Sequence, residues 1–404
     1  MDLHSDLPYW STKNGIIRAY PSLQQDTETD IAIIGAGITG ALVGYELMKS
    51  GFEVTLLDCR HVGMGSTSAS TALLQYEIDT HLTKLQELYG PRVANRSYLL
   101  CLEAIDKIHD LCREVQAEHE FQYRKSLYYA SYKKHVPTLR KEFEARKAIG
   151  IEVSWLTESD LAPELTAPAA ILSEKAAQVD PYQLAHALLA KMLEKGCKVH
   201  NQTKVIAIEH KKNGVILSTK AGFNVMARNV VIAGGYESQK WLSQPVEQLH
   251  ASYAIISEPS NALKGLLKDT LIWETARPYL YMRTTSDGRI LVGGRDDDFY
   301  APEKRDKRVF KKGSLLEADF KKHFPDIPIH IDFRWAGTFA ETKDGLPYIG
   351  IHPERPHTYF ALGFGGNGIT FSSIAADLIR KDILKKANPD ATLFAFNRAI
   401  RKPD

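Results

Sequence analysis

At 404 residues the chain exceeds what one hydrophobic core usually spans, so two domains are expected. Its composition, 44% hydrophobic and 25% charged without biased tracts, is that of a globular protein and excludes a disordered or fibrous one. A net charge of +2 gives no reason to expect nucleic acid or an anionic membrane as partner. Cys59, Cys101, Cys112 and Cys197 form no CxxC pair, so neither a metal site nor a disulfide framework is expected. The first residues are polar and aromatic (Asp2, His4, Tyr9, Trp10), unlike a signal peptide, and the chain reads as cytoplasmic without a membrane span.

Residues 1–29 read as an extended leader. Ile31-Ala32-Ile33-Ile34 then forms a strand, Gly35-Ala36-Gly37-Ile38-Thr39-Gly40 a glycine-rich turn, a helix runs to about Ser50, and Glu53–Asp58 is a second strand ending in an acid. Each part serves a dinucleotide. Gly35 allows the tight turn, Gly37 the approach of a pyrophosphate, and Gly40 close packing of helix on strand. The helix start offers free N–H groups to the phosphates, and Asp58 can accept from a ribose diol. The most apolar stretch, Ile31–Met48, is explained by this turn better than by a membrane span.

From Gly63 to Thr71 the chain is small and hydroxylated. Residues 79–119 carry helical periodicity, Phe121–Tyr132 reads as a hairpin, and Val136–Ala148 as a helix. Asp180 is placed to cap a helix with Pro181 in its first turn, ending near Gly196. Three strands follow, Lys204–His210, Gly214–Thr219 and Phe223–Ala227, with Asn213-Gly214 as a hairpin signal. Asn229–Gly235 is a continuous apolar run ending in glycines, as expected of a strand buried on both faces, so the dinucleotide domain resumes there. Further strands are expected at Tyr253–Ser257, Tyr279–Thr284 and Arg289–Gly293, and a closing helix at Ile369–Leu384. The basic run Lys304–Arg308 reads as a solvated face.

These motifs resemble the flavin-dependent D-amino acid oxidase superfamily, nearest to glycine oxidase and similar amine-oxidising enzymes. The matches are Gly35–Asp58, Ser66–Leu74, and Val205 with Val231–Gly235. Most specific are Trp335-Ala336-Gly337, Thr342–Gly350 and Ala361–Thr370. The resemblance implies an α/β fold. A Rossmann-type FAD-binding domain, of the glutathione-reductase and D-amino acid oxidase type, is expected in residues 1–90, 155–245 and 332–404. An interleaved α+β substrate domain on an antiparallel or mixed sheet is expected in 91–154 and 246–331. A simple NAD dehydrogenase would continue with regular βα repeats; this chain inserts a meander instead.

FAD is expected in extended form. The resemblance implies contacts from Gly35, Gly37, Ile38, Thr39, Gly40, Asp58 and Cys59 at the adenosine end. It implies Ser66, Thr67, Thr71, Ala72, Leu73, Leu74, Val205, Ala233, Gly234 and Gly337 along its length. Gly363, Gly365, Gly366, Asn367, Gly368, Ile369 and Thr370 are expected at the ring. Some relatives tether the flavin to Cys or His; no cysteine follows Cys197 and no histidine lies in Ser66–Leu74, so a non-covalent flavin is expected. A helix starting near Ile369 would stabilise negative charge on reduced flavin.

The implied reaction is hydride removal from a carbon bearing a primary or secondary amine, or an amino acid derivative, giving an imine. Oxygen or an electron carrier would be the acceptor. Alternatives are a hydroxy acid or polyol dehydrogenase on the same fold, or a flavin-binding partner protein without turnover. Glycine oxidases would carry Arg two residues after Trp-Ala-Gly, and a second Arg before the Asn; here these positions are Phe339 and Gly366. The usual carboxylate clamp is therefore missing. Alternation puts Tyr279, Tyr281 and Arg283 on one strand face, toward either solvent or the cavity above the flavin, and Leu280 and Met282 on the core face. Tyr281, Arg283, Lys343 and Gln75 are the substrate-side candidates, with Tyr76 and Arg295 behind them.

Overall fold

The computed structural model describes residues 1–5, 7–117 and 120–398. Two sheets dominate. An eight-stranded sheet carries a parallel core in the order Arg355–Leu362, Asn224–Ile232, Thr27–Ile34, Val54–Leu57 and Lys198–His200. Tyr348–His352 extends it antiparallel, and the meander Val205–Lys211, Gly214–Thr219 is attached to Asn224–Ile232. The meander's third strand and the buried apolar strand, expected as two, are one. Asn224–Ala227 pairs with Gly214–Thr219, and Val230–Ile232 with Arg355–Leu362 on the same edge. Its other edge pairs with Thr27–Ile34 throughout, so nothing breaks the strand at Arg228.

A nine-stranded mixed sheet has the order 331–341, 248–259, 289–297, 281–284, 270–274, 121–129, 169–179, 73–74, with 153–157 beside 169–179. It takes Ala169–Val179 and Ile331–Glu341, segments that the sequence reading assigns to the dinucleotide-binding part. Alternation alone does not tell which sheet a strand joins; register does. We propose that the two domains divide as these sheets do. Phe121–Tyr129 is a single strand, not a hairpin, paired on both edges. The periodic stretch after residue 79 divides at Gly90-Pro91 into helices Leu82–Tyr89 and Pro91–Glu114. Proline fits the first turn of the second helix but not the interior of a longer one.

Asp180 caps its helix as expected, accepting from the N–H groups of Tyr182 and Gln183. The leader is more than extended chain. Tyr9–Asn14 is helical, with Tyr9 stacked on Trp335, and Ser5 exchanges hydrogen bonds with Ala336 (Ser5 N–H to O 2.9 Å, Oγ from Ala336 N–H 2.9 Å). Arg305, expected on a solvated face, is buried and reaches Asp2 and Thr338. Among the described residues no helix is long and apolar enough to cross a membrane.

Candidate active site

The helices Ile38–Lys49 and Gly368–Ile383 pack together, tied by a hydroxyl bond between Thr39 and Ser372 (2.8 Å). Ile38 and Thr39 at the first helix start, and Gly368 and Ile369 at the second, line one elongated cavity of about 270 Å³. Two positive helix ends thus face a single space. Gly35 holds the turn at φ +107°, and a Cβ there would stand 2.4 Å from the Ala233 carbonyl oxygen, so no other residue fits.

At this end Asp58 spans the turn. Its oxygens accept from the Ala36 and Arg60 N–H groups, each at 2.8 Å, and burial raises its carboxyl above the usual range against those bonds. The buried hydroxyls of Ser66 and Ser238 line the cavity without hydrogen-bond partners. Buried polar groups are nearly always satisfied, so these await a polar ligand. Glycine turn, helix start, acid and orphaned hydroxyls together fit the adenosine and pyrophosphate part of FAD. Arg60, Lys204 and Lys240 line the same half, the charge a pyrophosphate needs.

At the other end, Gly363–Gly368 is pinned by Asn367, whose Nδ2 donates to the carbonyls of Gln75 (3.0 Å) and Glu77 (2.8 Å). The segment from Leu73 to Glu77 and the glycine loop are therefore joined. Behind them lies a buried ion cluster. Arg146, with no exposed surface, donates to Glu142 (3.0 Å) and faces Glu77 at 3.6 Å, while Glu142 also accepts from the Leu82 and Thr83 N–H groups.

Of the expected cofactor contacts, Gly35, Gly37, Ile38, Thr39, Asp58, Cys59, Ser66, Thr67, Thr71, Ala72, Leu73, Val205, Ala233, Gly234, Gly337, Gly363, Gly365, Gly366, Asn367, Gly368 and Ile369 line the cavity. Gly40, Leu74 and Thr370 do not. Gly40 faces the Gly35 carbonyl, Leu74 lies in the core, and the Thr370 hydroxyl bonds the Gln75 carbonyl. These three shape the walls from behind.

The substrate-side candidates divide. Gln75, Tyr279 and Tyr281 line the cavity, and Leu280 and Met282 lie in the core as alternation requires. Arg283 is a correction. It is 1% exposed, donates to the carbonyl of Thr71 (2.8 Å) and to Gln178 (3.2 Å), and supports the hydroxylated loop from behind. Burial pushes its guanidinium down to about 10. Lys343 is exposed and outside the cavity, Tyr76 belongs to the Arg146 cluster, and Arg295 pairs with Asp319. Phe339 does line the cavity, against His250, and Gly366 donates its N–H to Asp79 (3.0 Å).

Sequence reasoning missed Asp79, Trp273, Glu247 and Asp296, all lining residues. They come from separate loops and strand ends, so no local spacing marks them. Only Asp296 carried a hint, as an acid at the end of an apolar strand. Burial and the charges of Glu341 and Asp79 push Asp296 up to about 7, although a bond from Ser252 opposes this.

A family model for FAD-dependent oxidoreductases (DAO) matches residues 30–381. Glycine oxidase of Geobacillus kaustophilus is 26% identical, over 92% of this chain and 98% of that protein. A solved glycine oxidase from that organism superposes with a TM-score of 0.77 at 23% identity, covering 93% of this chain and all of the other. A Bacillus subtilis protein named for a Rieske 2Fe-2S centre is 26% identical over 98% of this chain and 76% of its own length. Gamma-glutamylputrescine oxidoreductase of Escherichia coli is 23% identical over 98% and 94%.

Proposed function

The chain belongs to the DAO family of FAD-dependent oxidoreductases, and from that premise we propose that it oxidises the C–N bond of an amine to an imine. The observation that carries this reading is the lining of the ring end. Trp273, Tyr279, Tyr281 and Phe339 stand there with Asp79 and Asp296, and no Arg or Lys of the described residues lines that half. Such a wall attracts nitrogen cations through ring faces and carboxylates, and repels the carboxylate of a hydroxy acid or the phosphate of a polyol ester. The similarity to glycine oxidase and gamma-glutamylputrescine oxidoreductase supports the same class.

FAD, when bound, supplies the two-electron acceptor for the hydride leaving the amine-bearing carbon. The chain supplies position. Gly35–Thr39, Ser66, Asp58 and Ser238 would hold the adenosine and phosphates; Gly363–Ile369 and Leu73–Gln75 would hold the ring. Helix Gly368–Ile383 aims its positive end at the ring end and favours negative charge there. Tyr281 is pushed up to about 12 by burial and the Asp296 charge, and Tyr279 is raised by burial and the Asp79 charge. Both phenols therefore stay protonated and serve as walls, not bases. Substrate nitrogen must shed its proton before hydride leaves, and the imine is hydrolysed once released to water. No cysteine of the described residues lines the ring end, which supports a non-covalent flavin. The test is anaerobic bleaching of the bound flavin by amines and by hydroxy acids. Bleaching by amines is expected; bleaching by hydroxy acids alone would overturn the proposal.

A further inference from the structure

Charge is divided along the cavity. Its basic lining residues, Arg60, Lys204 and Lys240, stand in the adenosine half beside Asp58 and Glu237, the latter paired with Arg60 (2.7 Å). The ring half is lined by four carboxylates, Glu77, Asp79, Glu247 and Asp296. Two are already compensated. Glu77 faces Arg146 at 3.6 Å, and Asp79 accepts from Tyr279 Oη (3.2 Å) and the Gly366 N–H. Arg277 stacks on Tyr279 and donates to the Asp79 carbonyl, but it is exposed and outside the cavity.

The other two are compensated only in part, by Gly363 and by Ser252. Glu247 is 8% exposed and its carboxylate oxygens make no well-formed hydrogen bond, the Gly363 N–H lying only nearby. Asp296 has a buried Oδ1 without a partner. A buried carboxylate without a partner is unfavourable in the free protein, and a bound cation relieves it. A row of rings lines the same cavity. Trp273 and Tyr279 have centroids 6.3 Å apart, and Tyr279 and Tyr281 5.9 Å. Ring faces of this kind hold methylene chains and cations.

We propose that the substrate is an amine with a second cationic centre, a diamine: its distal ammonium is received by Asp296 and Glu247 and its chain lies along Trp273, Tyr279 and Tyr281. This rests on the amine-oxidation reading above. One nitrogen reacts as the free amine; the other stays protonated and supplies the charge that the orphaned carboxylates lack. An amino acid is disfavoured twice, by the missing guanidinium at Phe339 and by the carboxylates themselves.

The experiment uses the FAD-loaded full chain with 1,4-diaminobutane, 1-aminobutane, glycine and succinate. Calorimetry should show binding of the diamine and none of succinate, the dicarboxylate of similar length. Anaerobic flavin bleaching should be half-maximal at a diamine concentration at least about tenfold below that for 1-aminobutane, the ratio worth one lost charge pair. Asp296→Asn should collapse that ratio, whereas Asp298→Asn, on the exposed side of the same strand end, should leave it unchanged. Should the first variant misfold, Glu247→Gln provides the same reading. Succinate or glycine binding as tightly as the diamine, or a ratio that survives both variants, overturns the proposal. Diamine binding that these variants abolish, without bleaching by any amine, would retain the cation site and remove the amine-oxidation reading instead.

Discussion

Replacing Glu247 by Gln should make the protein more stable, and more so at high pH. Burial pushes this carboxyl up to about 7 from an ordinary 4.5, and the nearby Gly363 N–H offsets only part of that. An acid raised on folding favours the native state fully below its unfolded value and loses that favour as pH climbs to the folded one. Wild-type protein is therefore penalised progressively between about pH 4.5 and 7, and fully above. With about 1.4 kcal/mol per unit, the penalty is about 1 kcal/mol at pH 5 and about 3 kcal/mol at pH 8. Glutamine does not titrate, so any constant effect of the amide cancels between the two conditions. Unfolding entropy of about 2 cal/mol/K per residue amounts to about 0.85 kcal/mol/K here, so the Tm advantage of the variant should widen by about 3 °C from pH 5 to pH 8. Differential scanning fluorimetry of both proteins, saturated with FAD, reads this directly. An advantage equal at the two pH values would show that Glu247 is solvated or paired, and the reasoning about its burial would fall.

Gly35→Ala should yield folded protein without flavin, read from the ratio of flavin to protein absorbance, because the new Cβ meets the Ala233 carbonyl at 2.4 Å. Normal flavin content would mean that the turn relaxes freely. Phe339→Arg should bring turnover of glycine that the wild type lacks, measured by flavin bleaching; efficient glycine turnover by the wild type would show that this position is not where a carboxylate clamp belongs. Arg146→Met should destabilise by about 3–5 kcal/mol in chemical denaturation, because it strands Glu142 and Glu77 in the interior. A loss under about 1 kcal/mol would mean that the two acids protonate at little cost.

The dinucleotide end was legible because its parts are local: glycines, helix start and acid follow within a span from Gly35 to Asp58. Alternation also placed Tyr279 and Tyr281 against Leu280 and Met282 correctly. It failed at Arg283, two residues on, because the face is shared but the neighbour is not. There the strand has passed the cavity and meets the Thr71 carbonyl. Lys343 lay in a specific motif yet points to solvent, since the motif's work is done by Asp344, which holds the Leu346 N–H (3.0 Å) and Arg398. The acids of the ring end were illegible for a different reason. Asp79, Glu247 and Asp296 reach one cavity only through tertiary structure, and no local spacing links them.

The contact between helix Ile38–Lys49 and helix Gly368–Ile383 also governs when the site comes into being. The two helices are far apart in the chain: Thr39 and Ser372, which tie them, are separated by 333 residues. Long-range closures of this kind are slow to form. The glycine turn is therefore enclosed on this side only when a segment distant in the chain has docked. A flavin held between the two helix ends would stabilise that long-range closure by mass action.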